Sequence, residues 1–480
     1  MIAATLAGIA GLFAGERMNP VDGIFYDLSL ALTSHRPGNA GEPVAVIALD
    51  RASLDSDELA GLPRIFMSPI WAKLINGLAD SGVGAIGFDM IFEYSANRFP
   101  GVQNQYDRDF LVALRRARDR IVLGRSAHAY PADPFWGATG IDALALIELT
   151  PDSDGIQRWV TRDFHIGERE ASPTMATALL TRAKGPPMPR RLMLAPAAPL
   201  EAIPTYRLID VLRCLDQDPT AVRAAFADKV VLVGTNLAEE DRKRTPDRFM
   251  SPPRARAGAP GRCVLDRVGA SDADAGTTPG VFVYAQAVKQ VLTGNLVRPV
   301  LPIGRTGAAA VAALLGALMG FLLRPTLAVL GLAVLAAALF GGALILLGFG
   351  FWFALALPTG AATLSMVLAY IVRFLVEERR RRRVQHAFSH YLAPTIVDQL
   401  AESAAGLHLG GERRDVTVMF ADLSGFTALS GKLPPEVLMA VTNRYLGMIV
   451  EAVEATGGYV DKFIGDAVMA FWGAPAADPD

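Results

Sequence analysis

FADLSGFT, Phe420 to Thr427, and DKFIGDAVMAFWG, Asp461 to Gly473, decide how the C-terminal part of this chain is read. The run VTVMF from Val416 is apolar and of strand length, with charge on its N-terminal side, so Asp422 falls just past a strand end. From Pro434 to Thr456, Leu438, Val441, Tyr445, Met448, Ile449, Ala452 and Val453 recur at helical spacing. Proline is tolerated in the first turn of such a helix, and Gly457-Gly458 is its stop. Tyr459 to Phe463 and Ala467 to Trp472 then flank Gly465-Asp466, which predicts two antiparallel strands joined by a tight turn. A strand, a crossover helix and a hairpin in this order bring Asp422 and Asp466 side by side.

Two carboxylates at strand ends suit hard divalent ions, which take oxygen ligands and are usually held by one or two carboxylates plus substrate phosphates. Two such ions clamp the attacking and leaving oxygens of an in-line displacement at phosphorus. An isolated aspartate in either place more often caps a turn. The pairing of the two strings is what favours the metal reading.

FADLSGFT, NRYLGMIVEAV (Asn443 to Val453) and GGYVDKFIGDAVMAFWGAP together resemble the class III adenylate/guanylate cyclase catalytic domain. The resemblance implies a partial α+β cyclase domain over residues 412–480, with two divalent cations, magnesium or manganese, held by Asp422 and Asp466 and assisted by the Leu423 carbonyl. It places Phe426 and Thr427 in the substrate site, and Lys462 where adenylate cyclases carry the lysine that reads adenine. Guanylate cyclases tend to have an acidic residue there, so ATP is expected over GTP. Taken alone, Lys462 is an ordinary solvated strand residue.

The implied reaction joins the ribose 3′-oxygen to the α-phosphorus and expels pyrophosphate, a phosphorus-oxygen lyase chemistry yielding cyclic AMP without a side-chain nucleophile. The resemblance also implies a homodimer in which one protomer supplies metal ligands and the other base-reading and transition-state groups. The sequence stops at Asp480, just after the GAP segment, and the family's transition-state asparagine and arginine have no counterpart in these residues. An expectation from this is a truncated, catalytically inactive sensor or dimerisation protein as the alternative to an active enzyme, with a guanylate cyclase as the weaker rival.

Thr306 to Leu323 is an uncharged stretch of 18 residues and Thr326 to Val372 one of 47. A bilayer core takes about 20 residues of helix, so the first is one span and the second is long enough for two, turning at Gly348 to Gly350. Residues 304–373 are therefore expected to form three transmembrane helices. Arg373 and the run Arg379 to Arg383 mark the end of the last span as cytoplasmic. Arg324 fits a short cytoplasmic turn. Met1 to Gly15 is uncharged but short and lacks a basic start, so residues 1–19 are read as an N-terminal membrane helix, with a signal peptide as the alternative.

Between the first helix and Val300, the runs VAVIALD, VGAIGFDMIF, IVLG and KVVLVGT are of buried-strand type. Helical stretches at Ile70 to Ala79 and Asp107 to Ala117 lie between some of them, which predicts an α/β sheet. IALDRASLD, GFDMIF, VVLVGTNLAEEDRKRTP and PGVFVYAQAVKQVLTGN resemble the CHASE2 extracellular sensor domain over residues 20–300. That implies an exterior, periplasmic sensor for an unknown ligand on a multi-pass protein of the inner (plasma) membrane. Asp50, Asp89 and Asp241 lie near strand ends, where cap or turn duty is the expectation. Pro252 to Thr278 reads as an inserted flexible loop.

Half the chain is hydrophobic and the formal net charge is −2, which gives no indication of nucleic acid as a partner. Cys214 and Cys263 both fall in the exterior segment; an oxidising compartment permits a disulfide, but two independent thiols are the default. Residues 374–411 are expected to be a cytoplasmic linker that transduces signal through a dimer, with Phe388, Tyr391 and Leu392 facing a partner helix or packing on the cyclase domain.

Overall fold

The computed structural model describes residues 18–33, 42–102, 105–165, 171–240, 242–250, 263, 265, 277–388 and 413–474. These fall into two compact units, divided at Tyr370 and Ile371. The expected N-terminal membrane helix, most of the 252–278 loop, Asp241, and Tyr391 and Leu392 lie outside the described residues.

The first unit begins with α1 (Pro20–Thr33) and continues through β1 (Val44–Leu49), α2 (Ser68–Asp80), β2 (Ala85–Phe88), α3 (Arg108–Arg116), β3 (Ile121–Arg125), β4 (Leu144–Leu146) and α4 (Met175–Arg182). It then runs through β5 (Thr205–Arg207), α5 (Leu208–Gln217), α6 (Pro219–Phe226), β6 (Val230–Thr235) and α7 (Gly280–Leu292). The six strands form one sheet in the order β4-β3-β2-β6-β1-β5, and every pair is parallel. Every residue of β1 is buried, as expected where helices cover both faces of a parallel sheet. Alternate residues feed two cores: Ala45, Ile47 and Leu49 join Trp71, Phe110 and Val211, while Val44 and Val46 join Leu179, Phe282 and Val288. The close seat of α7 on the sheet depends on Gly234, where an added Cβ would lie 2.7 Å from Cβ of Val281.

Both helices anticipated between the strands are present, as α2 and α3. Asp50 does serve as a cap. Its Oδ1 accepts hydrogen bonds from the Ser53 amide (2.8 Å) and hydroxyl (2.6 Å), and its Oδ2 accepts one from Arg207 Nε (3.1 Å). The default of two independent thiols is overturned: Cys214, buried on α5, is disulfide-bonded to Cys263, with Cα atoms 4.6 Å apart. A separation of 49 residues hides such a pairing from the sequence.

The first unit continues with β7 (Arg298–Pro299), α8 (Pro302–Leu322), α9 (Pro325–Gly348), β8 (Phe351–Trp352) and the start of α10 (Ala356–Phe388). Three helical segments, Pro302–Leu322, Pro325–Gly348 and Ala356–Arg379, are long and apolar enough to cross a membrane. The chain turns between the second and third at the anticipated glycines, with Gly350 at φ 81°. β7 pairs with β8, so the residues before α8 and those after α9 lie at one level. At the other end, the Tyr370 hydroxyl donates to the Leu323 carbonyl oxygen over 2.8 Å. α8 and α10 pack through small residues: a Cβ on Gly320 would lie 2.7 Å from both the Met366 carbonyl oxygen and Cβ of Ala369.

α1 is locked to the sheet-bearing body by a buried charge cluster. Arg158 donates from Nε to Asp27 Oδ1 and from Nη2 to Asp27 Oδ2, each at 2.8 Å, and reaches Asp154 as well. Tyr26 donates to the Leu194 carbonyl oxygen (2.7 Å) and meets Trp352 edge to face. Phe25 packs beside Phe340 of α9. α1 therefore touches both the body and the long apolar helix α9.

Candidate functional site

The second unit carries β9 (Thr417–Ala421), α11 (Phe426–Ser430), α12 (Pro435–Ala455), β10 (Tyr459–Ile464) and β11 (Ala467–Trp472). Its three strands are antiparallel in the order β9-β11-β10, so the hairpin's second strand is central. Val468 and Ala470 of β11 are buried, as is Val453 of α12. The Trp472 indole N–H donates to the Thr456 carbonyl oxygen (3.1 Å), fixing the far end of β11 to the helix terminus. Gly458 leaves room for that ring.

This frame positions the two aspartates. Ala421 pairs with Val468, so Asp422, one residue beyond β9, and Asp466, just before β11, emerge at the same end of the sheet. Asp466 sits in the two-residue hairpin loop, and Gly465 before it has φ 67°, the first loop position at which a type II′ turn calls for glycine. On the other side, Gly425 at φ 79° turns the chain from Asp422 into α11. The Phe426 amide donates to the Leu423 carbonyl oxygen (3.1 Å), closing that turn. The Tyr445 hydroxyl donates to the Asp422 carbonyl oxygen (3.1 Å), so α12 holds the loop from behind. Tyr445 had been legible only as one member of the apolar face of this helix.

The donor set here is two carboxylates, with the Leu423 carbonyl, whose second lone pair is not used by the turn, close in sequence. Such oxygens fit a hard divalent cation that completes its shell with water and phosphate. Among the described residues, no three histidine, cysteine or acidic side chains form a metal-holding cluster.

Phe426 and Thr427 are the first residues of α11, beside the Asp422 turn. Lys462 stands apart. It lies on β10 opposite Met469, after a register shift at Asp461, with its ammonium 3.0 Å from the Asp461 carboxylate. Phe463 and Ile464 of the strand and Gly465 of the loop stand between it and Asp466. The structure thus brings Asp422, Asp466, Leu423, Phe426 and Thr427 together and leaves Lys462 further along the sheet. Cross-strand pairing puts Lys462 and Ile464 on the same face as Val418 and Phe420. Val418, Phe420 and Ile464 are exposed on it, Phe420 to 67%.

The model of the CHASE2 domain matches residues 3–322. Over 102 residues the chain is 36% identical to a protein named adenylate cyclase 1 of Rhizobium meliloti (strain 1021), a match covering 21% of this chain and 15% of that protein. It is 32% identical over 91 residues to a protein named adenylate cyclase of Anabaena cylindrica, covering 19% of this chain and 17% of that one. An uncharacterised protein of Mycobacterium tuberculosis (strain ATCC 25618 / H37Rv) is 34% identical over 97 residues, covering 20% and 18%. The chain thus spans less than a fifth of the length of each of these relatives.

Proposed function

The chain belongs to the CHASE2 domain family, and on that premise we propose that it is a membrane-bound, receptor-type adenylate cyclase converting ATP to cyclic AMP and pyrophosphate. The observation that carries the proposal is the placement of Asp422 and Asp466 at one end of a three-stranded sheet, each on a glycine-shaped turn. Relatives named adenylate cyclase support the reaction class. Asp422, Asp466 and the Leu423 carbonyl would hold two divalent cations, which, when bound, supply charge neutralisation at the phosphates and a more acidic ribose hydroxyl.

The residues of this chain act chiefly by positioning. The Asp422 turn and the start of α11, with Phe426 and Thr427, form one wall against the triphosphate. Tyr445 keeps that wall in register through the Asp422 carbonyl. The 3′-oxygen forms its bond to the α-phosphorus as the bond to the departing pyrophosphate breaks, and the hydroxyl proton leaves to solvent. Lys462 reads the adenine ring. The exposed apolar face carrying Lys462 supports a homodimer associating through that face, in which Lys462 and Asp466 of one protomer serve different substrates.

In the membrane, residues 20–300 face the periplasm and the segment from Arg379 onward faces the cytoplasm, since three helices separate them and the arginine run follows the third. The multi-pass protein belongs in the inner (plasma) membrane, with α10 leading into the dimeric linker. The test is nucleotide turnover by membranes containing the full-length natural protein in a host without its own cyclase. Cyclic AMP from ATP, with little cyclic GMP from GTP, is expected. Predominant cyclic GMP would assign Lys462 wrongly.

A further inference from the structure

α1 turns its polar residues inward. Asp27 is fully buried against Arg158, Asp22 is buried, and the buried Ser29 donates from its hydroxyl to the Phe25 carbonyl oxygen of the same helix. What the helix exposes is apolar: Val21, Ile24, Leu28 and Leu32 are exposed to 37–55%, with Pro20 at the start. At 3.6 residues per turn these four fall within an arc of about 80°, so they form one stripe along a helix of 14 residues, about 21 Å long. A helix that faces water shows the opposite pattern, with its polar residues outside. No exposed side chain of α1 carries a hydrogen-bonding group.

The stripe is continuous with the membrane helices. Phe25, at its edge, packs beside Phe340 with ring centroids 6.0 Å apart. Phe340 lies eight residues before the end of α9, about 12 Å along its axis. Asp22 Oδ1 accepts from the amide of Ala356, the first residue of α10, over 2.8 Å. Phe349 and Phe351, between α9 and α10, are exposed, as are Leu301 and Ile303 at the start of α8, and the pairing of β7 with β8 holds these two stretches together. α1 thus sits against the ends of the second and third spans that adjoin β8, beside further exposed apolar side chains.

We propose that α1 lies in the bilayer interface, with Val21, Ile24, Leu28 and Leu32 among the lipid chains, so that the membrane contact of the first unit extends beyond its three spans. An interfacial helix buries its apolar face about 5–10 Å into the boundary between headgroups and acyl chains. The occupant is lipid and not protein: a protein interface pairs hydrogen-bonding groups around an apolar core, whereas this stripe offers none. The opposite face of the helix is fastened to the sheet-bearing body through Asp27 and Tyr26, which seats α1 between bilayer and body. The proposal rests on the three-span reading and not on the nucleotide chemistry of the second unit.

Spin labelling of the whole chain in lipid nanodiscs tests it. Cys214 and Cys263 are disulfide-bonded, so labels attach only to introduced cysteines. Ile24→Cys and Leu28→Cys are compared with Val334→Cys on α9 and Val112→Cys on α3 of the sheet-bearing body; all four side chains are exposed, so folding is preserved. At each label the collision rates with oxygen, which concentrates in lipid, and with a water-soluble nickel chelate are measured. The ratio of oxygen to nickel collisions at positions 24 and 28 should exceed that at 112 several-fold and approach that at 334. A ratio at either position no higher than at 112 would put the stripe in water, and low collision rates with both reagents, or broadening by a label on a second copy, would put protein over it. Each of these would overturn the proposal and leave the spans standing, whereas a water-like ratio at 334 would remove the spans and the proposal together. None of these results would bear on Asp422 and Asp466.

Discussion

Arg158 and Asp27, 131 residues apart, form a two-point ion pair with both side chains fully buried. Asp154 and Asp152 complete the surroundings of the guanidinium, and Arg248 reaches the same Asp27 carboxylate at 2.8 Å. Removing Asp27 takes from Arg158 its two-point partner and from Arg248 the same carboxylate, while removing Arg158 strips Asp27, Asp152 and Asp154 of their shared guanidinium in a site largely closed to water. Asp27→Ala should therefore destabilise the first unit by about 3–5 kcal/mol, and Arg158→Met by at least as much. Chemical denaturation of both variants in detergent checks this, and parental stability in either would show that the cluster does not hold the unit together.

The disulfide should be measurable in the same way. Joining residues 49 apart restricts the unfolded chain, and loss through Cys214→Ala with Cys263→Ala should lower stability by about 2–4 kcal/mol. Unreduced protein should take up no maleimide at either position. Labelling before reduction would mean that the cysteines are free thiols.

The membrane path gives a third outcome. The pairing of Arg298 with Phe351 and the bond between Tyr370 and Leu323 put opposite ends of the helices at opposite levels. Reporter fusions after Asn97 and after Arg413 should register on opposite sides of the membrane. The same side for both would leave an even number of crossings between them and discard the three-span path.

Asp247 supplies a pH dependence. Burial pushes its carboxyl above the ordinary carboxylate range, although it accepts the Leu200 amide at 2.7 Å. An acid whose folded pKa is raised contributes stability that is fully present below its unfolded pKa, about 3.9, and is lost as pH rises through the folded value. Asp247→Asn does not titrate, so the variant should gain stability relative to the parent as pH is raised through that window. Parallel curves would assign the carboxyl an ordinary pKa.

How much of this was legible in the sequence follows from how local each signal is. β1 and β6 are buried on both faces, so they read as unbroken apolar runs, VAVIAL and VVLVGT. The hairpin at Gly465-Asp466 and the helix stop at Gly457 rest on backbone angles that glycine marks directly. The insertion of β6 between β1 and β2 had no such mark, because parallel pairing is set across more than a hundred residues. Arg158 was invisible for the same reason: a single arginine in GIQRW looks solvated until Asp27 and Asp154 are brought to it. At the aspartate pair, each residue's position relative to its strand could be read, while the Tyr445 support needed the helix packed behind the loop.

The assignment of Asp422 and Asp466 is tested most directly by cyclic AMP formation in membranes carrying the full-length natural protein, its Asp422→Asn form or its Asp466→Asn form, with magnesium or manganese supplied. Each substitution keeps the size of the side chain and removes one charged oxygen donor from the pair. The account predicts that either variant, inserted at parental levels and with its disulfide formed, loses at least about a hundredfold in rate with both metals. Parental rates in either variant would contradict the central claim that these two carboxylates form the catalytic metal site.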